Sequence, residues 1–147
     1  MKTYEVTMRI NFLALFLGLM AITPLYADDH MTPAPESAKV YFIEPADGAT
    51  VTGPFTVKFG LSGMGVAPAG VARENTGHHH LLINVDEFDT TKPLPASDQY
   101  RHFGGGQTET ELTLEPGTYT LQLVLGNHLH IPHYPPVISD KISITVK

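Results

Sequence analysis

Tyr119-Thr-Leu-Gln-Leu-Val-Leu125 can be read as a strand straight from the chain. Tyr119, Leu121, Leu123 and Leu125 fall on one face, with Thr120 and Gln122 on the other. A period of two is incompatible with one buried helical face, and it recurs in short segments. Lys39-Val-Tyr-Phe-Ile43 is β-branched and aromatic and stops at the turn Pro45-Ala-Asp-Gly48. Phe55-Thr-Val-Lys-Phe59 alternates, followed by a loop from Gly60 to Gly70 with four glycines. His79, Leu81, Ile83 and Val85 are expected to share an inward face. Thr108 to Leu114 alternates before the turn Glu115-Pro-Gly117, and Ile142-Ser-Ile-Thr-Val146 closes the chain. Residues 87–107 read as an irregular crossover or one short edge strand. Six or seven short strands spaced by Gly/Pro turns predict an all-β domain, an antiparallel β-sandwich of immunoglobulin or fibronectin type. The Cys…Trp…Cys core marker of antibody domains is absent, since the chain has neither residue.

The sandwich is expected over residues 38–147. Before it, Ile10 to Ile22 is an apolar run of signal-peptide length, with Lys2 and Arg9 on its N-terminal side. Pro24 breaks any helix, and Leu25-Tyr26-Ala27 places a small residue at a cleavage position. The run is shorter than the roughly 20 residues a spanning helix needs. Residues 1–27 are therefore expected to be a cleaved signal peptide, and the protein periplasmic or secreted, with no membrane association after cleavage. Residues 28–37, with two prolines and no apolar period, read as a flexible leader. Cleavage removes two cations and one carboxylate and moves the formal charge from −6 to −7. That surface argues against nucleic acid and anionic lipid and is compatible with cations.

The chemistry lies in the histidines. Seven of the eight fall in three short runs: His78-His79-His80, His102, and His128-Leu-His130-Ile-Pro-His133. The eighth, His30, is in the leader. In a sandwich of this type the start of the third strand and the end of the sixth lie at the same end. That brings His78 to His80 near His128 to His133, and the segment Arg101 to Gln107 as well. With Leu81 and Ile83 inward, His78 and His80 share the opposite face and His79 points in. If the next strand continues, His128 and His130 also share a face. Two His-x-His pairs on adjacent strands offer up to four imidazoles to one ion, and imidazole suits copper and zinc. The competing reading is structural, with the imidazoles bonded to backbone carbonyls or to Asp86, Glu87 or Asp89. Met64 offers a sulfur ligand for Cu(I) or, equally, a hydrophobic plug. Cleavage after Ala27 would leave a free amine followed by Asp28-Asp29-His30, a set that encloses Cu(II) or Ni(II) in a square plane.

Enzymatic signatures are missing. There is no Ser-His-Asp order and no GxxxxGK loop, and Gly104-Gly-Gly106 does not lead into a helical pattern. Glu74, Asp86 and Glu109 are the carboxylates a metal hydrolase would draw on.

Four segments in order carry a family resemblance: Gly77 to Asp86, His102 to Glu109, Leu114 to Leu123, and His130 to Val137. Together they resemble the bacterial domain-of-unknown-function family numbered 4399, over roughly Val40 to Val146. The resemblance implies an exported, compact β domain and supplies no activity. It carries His78, His79, His80, His102, His130 and His133; His128 and His30 are tied to it less firmly.

Three readings stay open at this point. One is a non-enzymatic periplasmic metal-binding module, for copper first and zinc second, with His78, His80, His102, His128, His130, His133 and His30 as candidate ligands. The second is a binding domain whose histidine loop recognises a small ligand or a partner. The third is a sandwich whose histidines only rigidify loops. Mass spectrometry of cell fractions should find a soluble form beginning at Asp28; intact Met1 protein in the cytosol would contradict export.

Overall fold

The structure is a computed structural model that describes residues 30–147. The expected signal peptide, Asp28 and Asp29 lie outside the described residues. Nine strands and no helix are found among those described. They are β1 (Lys39–Glu44), β2 (Thr50–Val51), β3 (Phe55–Ser62), β4 (Gly65–Val66), β5 (Thr76–Ile83), β6 (Tyr100–His102), β7 (Glu109–Leu112), β8 (Gly117–Gly126) and β9 (Ile142–Val146). One sheet has the order β1-β3-β7. The other runs β2-β9-β8-β5-β4, with β6 paired to β5. Longer pairings are antiparallel, while the two-residue strands β2 and β4 pair in parallel with β9 and β5. Two residues are too few to leave a period in the sequence, which is why β2 and β4 were not legible there.

A single core joins the two sheets. Val40, Val57, Phe59 and Leu112 come from one, and Leu81, Ile83, Leu121, Leu123, Leu125, Ile144 and Val146 from the other. β8 sits between β9 and β5, which makes it the central strand of its sheet and explains why its alternation is the cleanest. Its upper half, Val124 to Gly126, has β5 on one side and the 132–138 segment on the other. There Leu125 N donates to Val137 O at 3.0 Å, and Leu123 N donates to Ser139 Oγ at 2.9 Å.

One expectation needs correction. Val85 does not continue the inward face of β5. Asn84 adopts φ 54°, its Oδ1 accepts from Thr120 N at 2.8 Å, and the strand ends there. Asn tolerates this left-handed conformation better than most residues because its side chain bonds locally. Val85 is thereby redirected to the second apolar cluster, with Leu82, Leu94 and Val124 on the other face of the sheet. The 87–107 crossover supplies Leu94, Phe88 and Tyr100 to this cluster, so β5 is buried on both faces.

The stretch read as a leader is tied down over residues 30–34. Tyr134 N donates to Thr32 O at 2.9 Å, and Ala34 N donates to Tyr134 O at 3.0 Å. Met64 packs against the main core, as a hydrophobic plug does.

Leu123 has no exposed surface and lies in that core. Leu123→Ala should lower unfolding free energy by about 2–5 kcal/mol, read by denaturant titration. A loss under about 0.5 kcal/mol, the range of surface substitutions, would contradict the packing described.

Candidate metal centre

Three sequence-distant segments meet at one end of the larger sheet. β5 pairs with β8 so that His78 faces Gly126 and His80 faces Val124, while β6 sets His102 directly opposite His80. Alternation sends His78 and His80 to the face away from the main core, and His79 into it. His79 packs 5.2 Å from the Phe59 ring, and Phe59 lies 4.8 Å from Phe103.

The fourth ring arrives by a turn rather than by a strand. β8 ends at Gly126, and His130 adopts φ 68°. Asn127 organises this turn. Its Oδ1 accepts from Leu129 N at 2.8 Å and Ile131 N at 3.1 Å, and its carbonyl accepts from His130 N at 2.9 Å. Its Nδ2 donates to His30 O at 2.8 Å, which anchors the N-terminal segment to the same loop. Asn127 itself is buried, and its bond from Ile131 N is buried with it.

The result is a ring of four imidazoles. His78 lies 4.8 Å from His80, 4.9 Å from His102 and 5.0 Å from His130 between ring centroids. His80 is 5.0 Å from His102 and 5.9 Å from His130, and His102 is 4.6 Å from His130. Nitrogens of His78, His80 and His102 all lie within 4.8 Å of one another. The Nε2 atoms of His78 and His80 are 3.0 Å apart. Tetrahedral nitrogen coordination at 2.0–2.1 Å would place two donors about 3.3 Å apart, so a small opening of this pair suffices. His78 and His80 are almost wholly buried, while His102 reaches solvent.

Glycines make the room. A Cβ on Gly126 would stand 2.8 Å from His80 Nε2, and one on Gly104 would collide with the His102 ring. Gly126, Gly104 and Asn127 were not singled out as site residues from the sequence. The available signal was the Gly126-Asn127 pair after a strand, which marks a turn.

The other candidate histidines lie elsewhere. His133 is buried, with Nδ1 3.2 Å from Leu125 O and Nε2 3.1 Å from Thr76 O. His128 lines a neighbouring cavity and has no ring contact with the four. His30 is exposed, and its link to the loop is through its carbonyl. Among the described residues no histidine pairs with a carboxylate. Asp89 is engaged by Lys92 and Thr91, and the contact at Asp86 runs from Lys141 to its carbonyl oxygen. Neither these groups nor Glu87, Glu74 or Glu109 joins the imidazole cluster.

Burial and mutual repulsion hold His78, His80 and His102 neutral. Burial, reinforced by His102 and then His130, lowers the His78 pKa to about 4. Burial and then His78 lower that of His80 to about 2. His79 falls to about 4 through burial, with the Gln107 backbone acting in the opposite direction. His102 is also lowered, by burial first and His130 second. Nδ1 of His78 and of His80 has no hydrogen-bond partner in the structure. Each such buried orphan costs about 1–3 kcal/mol. Neutral His78, His80 and His102, with one nitrogen each within 4.8 Å of the others, can accept a transition-metal cation at neutral pH without first releasing protons.

The chain belongs to the family described as a domain of unknown function, DUF4399, which matches residues 57–147. That match spans β5, β6 and β8 and so includes all four clustered histidines. No curated protein and no solved structure matches the chain.

The depressed pKa values fix a sign for acid stability. Between about pH 6.5 and pH 4 the unfolded chain binds more protons than the folded one, so stability falls as pH falls through that window. Metal-free protein should lose on the order of several kcal/mol from pH 7 to pH 4, followed by denaturant titration at each pH. A flat profile over that range would mean the buried imidazoles do not titrate as described.

Proposed function

We propose that this protein is an exported, non-catalytic metal-binding module, and that its metal is copper. His78, His80 and His102 supply the nitrogens, and His130 closes the fourth side. The observation that carries this reading is the convergence of four imidazoles, two of them buried with unpartnered nitrogens, with no carboxylate among them. His133, outside the cluster, instead has a backbone carbonyl beside each ring nitrogen, one of which can accept its single N–H. Nitrogen-only sites suit copper and zinc, and the order of affinities for divalent ions puts Cu(II) above Zn(II) at the same site. Magnesium and calcium prefer oxygen ligands, which this set lacks.

The finer fold is read as immunoglobulin-like. Three features support it: the β1-β3-β7 and β9-β8-β5 sheets, the parallel pairing of β2 with β9, and the Tyr119 hydroxyl donating to Glu115 O at 2.9 Å. That last bond, at the start of β8 and four residues back, resembles a tyrosine corner. Export rests on the apolar run and Ala27, and in that compartment the leader histidine His30 would add a separate Cu(II) site at a free Asp28 amine.

Calorimetric titration of His30→Ala protein with Cu(II), Cu(I) and Zn(II) tests the proposal with the leader site silenced. One equivalent of copper should bind, more tightly than zinc. Adding His80→Ala should weaken it at least about tenfold while the circular dichroism of the apoprotein stays β-type. Absence of near-stoichiometric binding by all three ions overturns the metal reading. Tighter zinc than copper overturns the choice of metal.

A further inference from the structure

A second concavity adjoins the histidine end without containing any of the four clustered rings. Its volume is about 470 Å³, and its walls come from three segments: Thr32–Pro33, the loop 71–76 before β5, and the 127–133 loop after β8. That volume is in the range of small-molecule sites, which combine apolar walls with a few convergent polar groups. Pro33, Val71 and Ala72 give the apolar part.

The polar part is divided between committed and uncommitted groups. Asn127 spends its side chain on the 129–131 turn and on His30 O. His133 faces two carbonyls. Arg73 and Glu74 both line the cavity, and neither forms an ion pair among the described residues. The Thr32 hydroxyl is buried without a hydrogen-bond partner.

We infer that this cavity binds a small zwitterion with an apolar body, of the class of a free α-amino acid with an aliphatic side chain. Arg73 takes the carboxylate through its paired N–H donors, Glu74 takes the ammonium, and Val71, Ala72 and Pro33 cover the side chain. The cavity thus presents one cation and one anion side by side, matching the two opposite charges of a zwitterion. The inference is independent of the metal reading, because His78, His80, His102 and His130 are not part of the walls.

L-Leucine is the probe, added to metal-free protein recovered from cells expressing the whole chain and followed by two-dimensional amide NMR. Saturable shifts should appear at Val71 to Thr76 and at Asn127 and His128. Arg73→Gln and Glu74→Gln, both at exposed positions, should each weaken binding about tenfold or more. 4-Methylpentanoate, which lacks the ammonium, and leucinamide, which lacks the carboxylate, should each bind about tenfold more weakly than leucine. Lack of any saturable shift at ~10 mM leucine overturns the site. Equal binding of leucine and either single-charge analogue, or leucine binding unaffected by both substitutions, overturns the zwitterion assignment.

Discussion

Register between β5 and β8 is the constraint on which the histidine end depends. His78 is opposite Gly126, His80 opposite Val124, and Leu81 opposite Leu123. Because side chains alternate, a slip of one residue would exchange the two faces of β5 and send His78 and His80 into the core in place of His79. The slip is opposed from both sides of the sheet. Leu81 and Ile83 fill the main core, and Leu82 fills the smaller one beneath Leu94 and Val85. Both faces of β5 are therefore committed to apolar partners below the histidines, and the three imidazoles inherit their directions from leucines and an isoleucine.

The cluster is unusual in its electrostatics. Placing several titratable rings together in a buried site is tolerable only while they stay neutral, and burial holds them there by lowering His78 and His80 far below the ordinary histidine range. Neutral rings still carry lone pairs that want a proton or a cation. The two facing Nε2 atoms can share one hydrogen, but the buried Nδ1 atoms of the same rings are left without partners. A polar site that cannot satisfy itself is costly to keep. A cation between the facing Nε2 atoms would bind their lone pairs and leave each Nδ1 as the N–H, and His102 at the surface gives it an approach.

Loop geometry completes what the strands begin. Asn127 holds the turn that brings His130 over the sheet and binds the N-terminal segment at His30. The same turn, with the loop leading into β5, walls the adjoining cavity. One buried amide thus organises a histidine of the cluster, the entry of the chain into the domain, and one side of the cavity.

Several of these features were legible in the sequence because they follow from periodicity. Alternation over Tyr119 to Leu125 identified a strand, which the sheet order then made central. Alternation over His79, Leu81 and Ile83 put His78 and His80 together and His79 inward. Four ordered motifs identified the family. What alternation cannot reach is any place where the backbone leaves the strand. Asn84, at φ 54°, turned Val85 to the other face, and His130, at φ 68°, joined the cluster while His128 was left beside the cavity. His102 was a candidate ligand from the sequence, but its pairing opposite His80 is a cross-strand fact. The sequence by itself determined the all-β class and which residues share a strand face, since both are set by a local period of two. Only the tertiary structure decided which imidazoles meet, because that depends on turns whose conformation is held by distant hydrogen bonds.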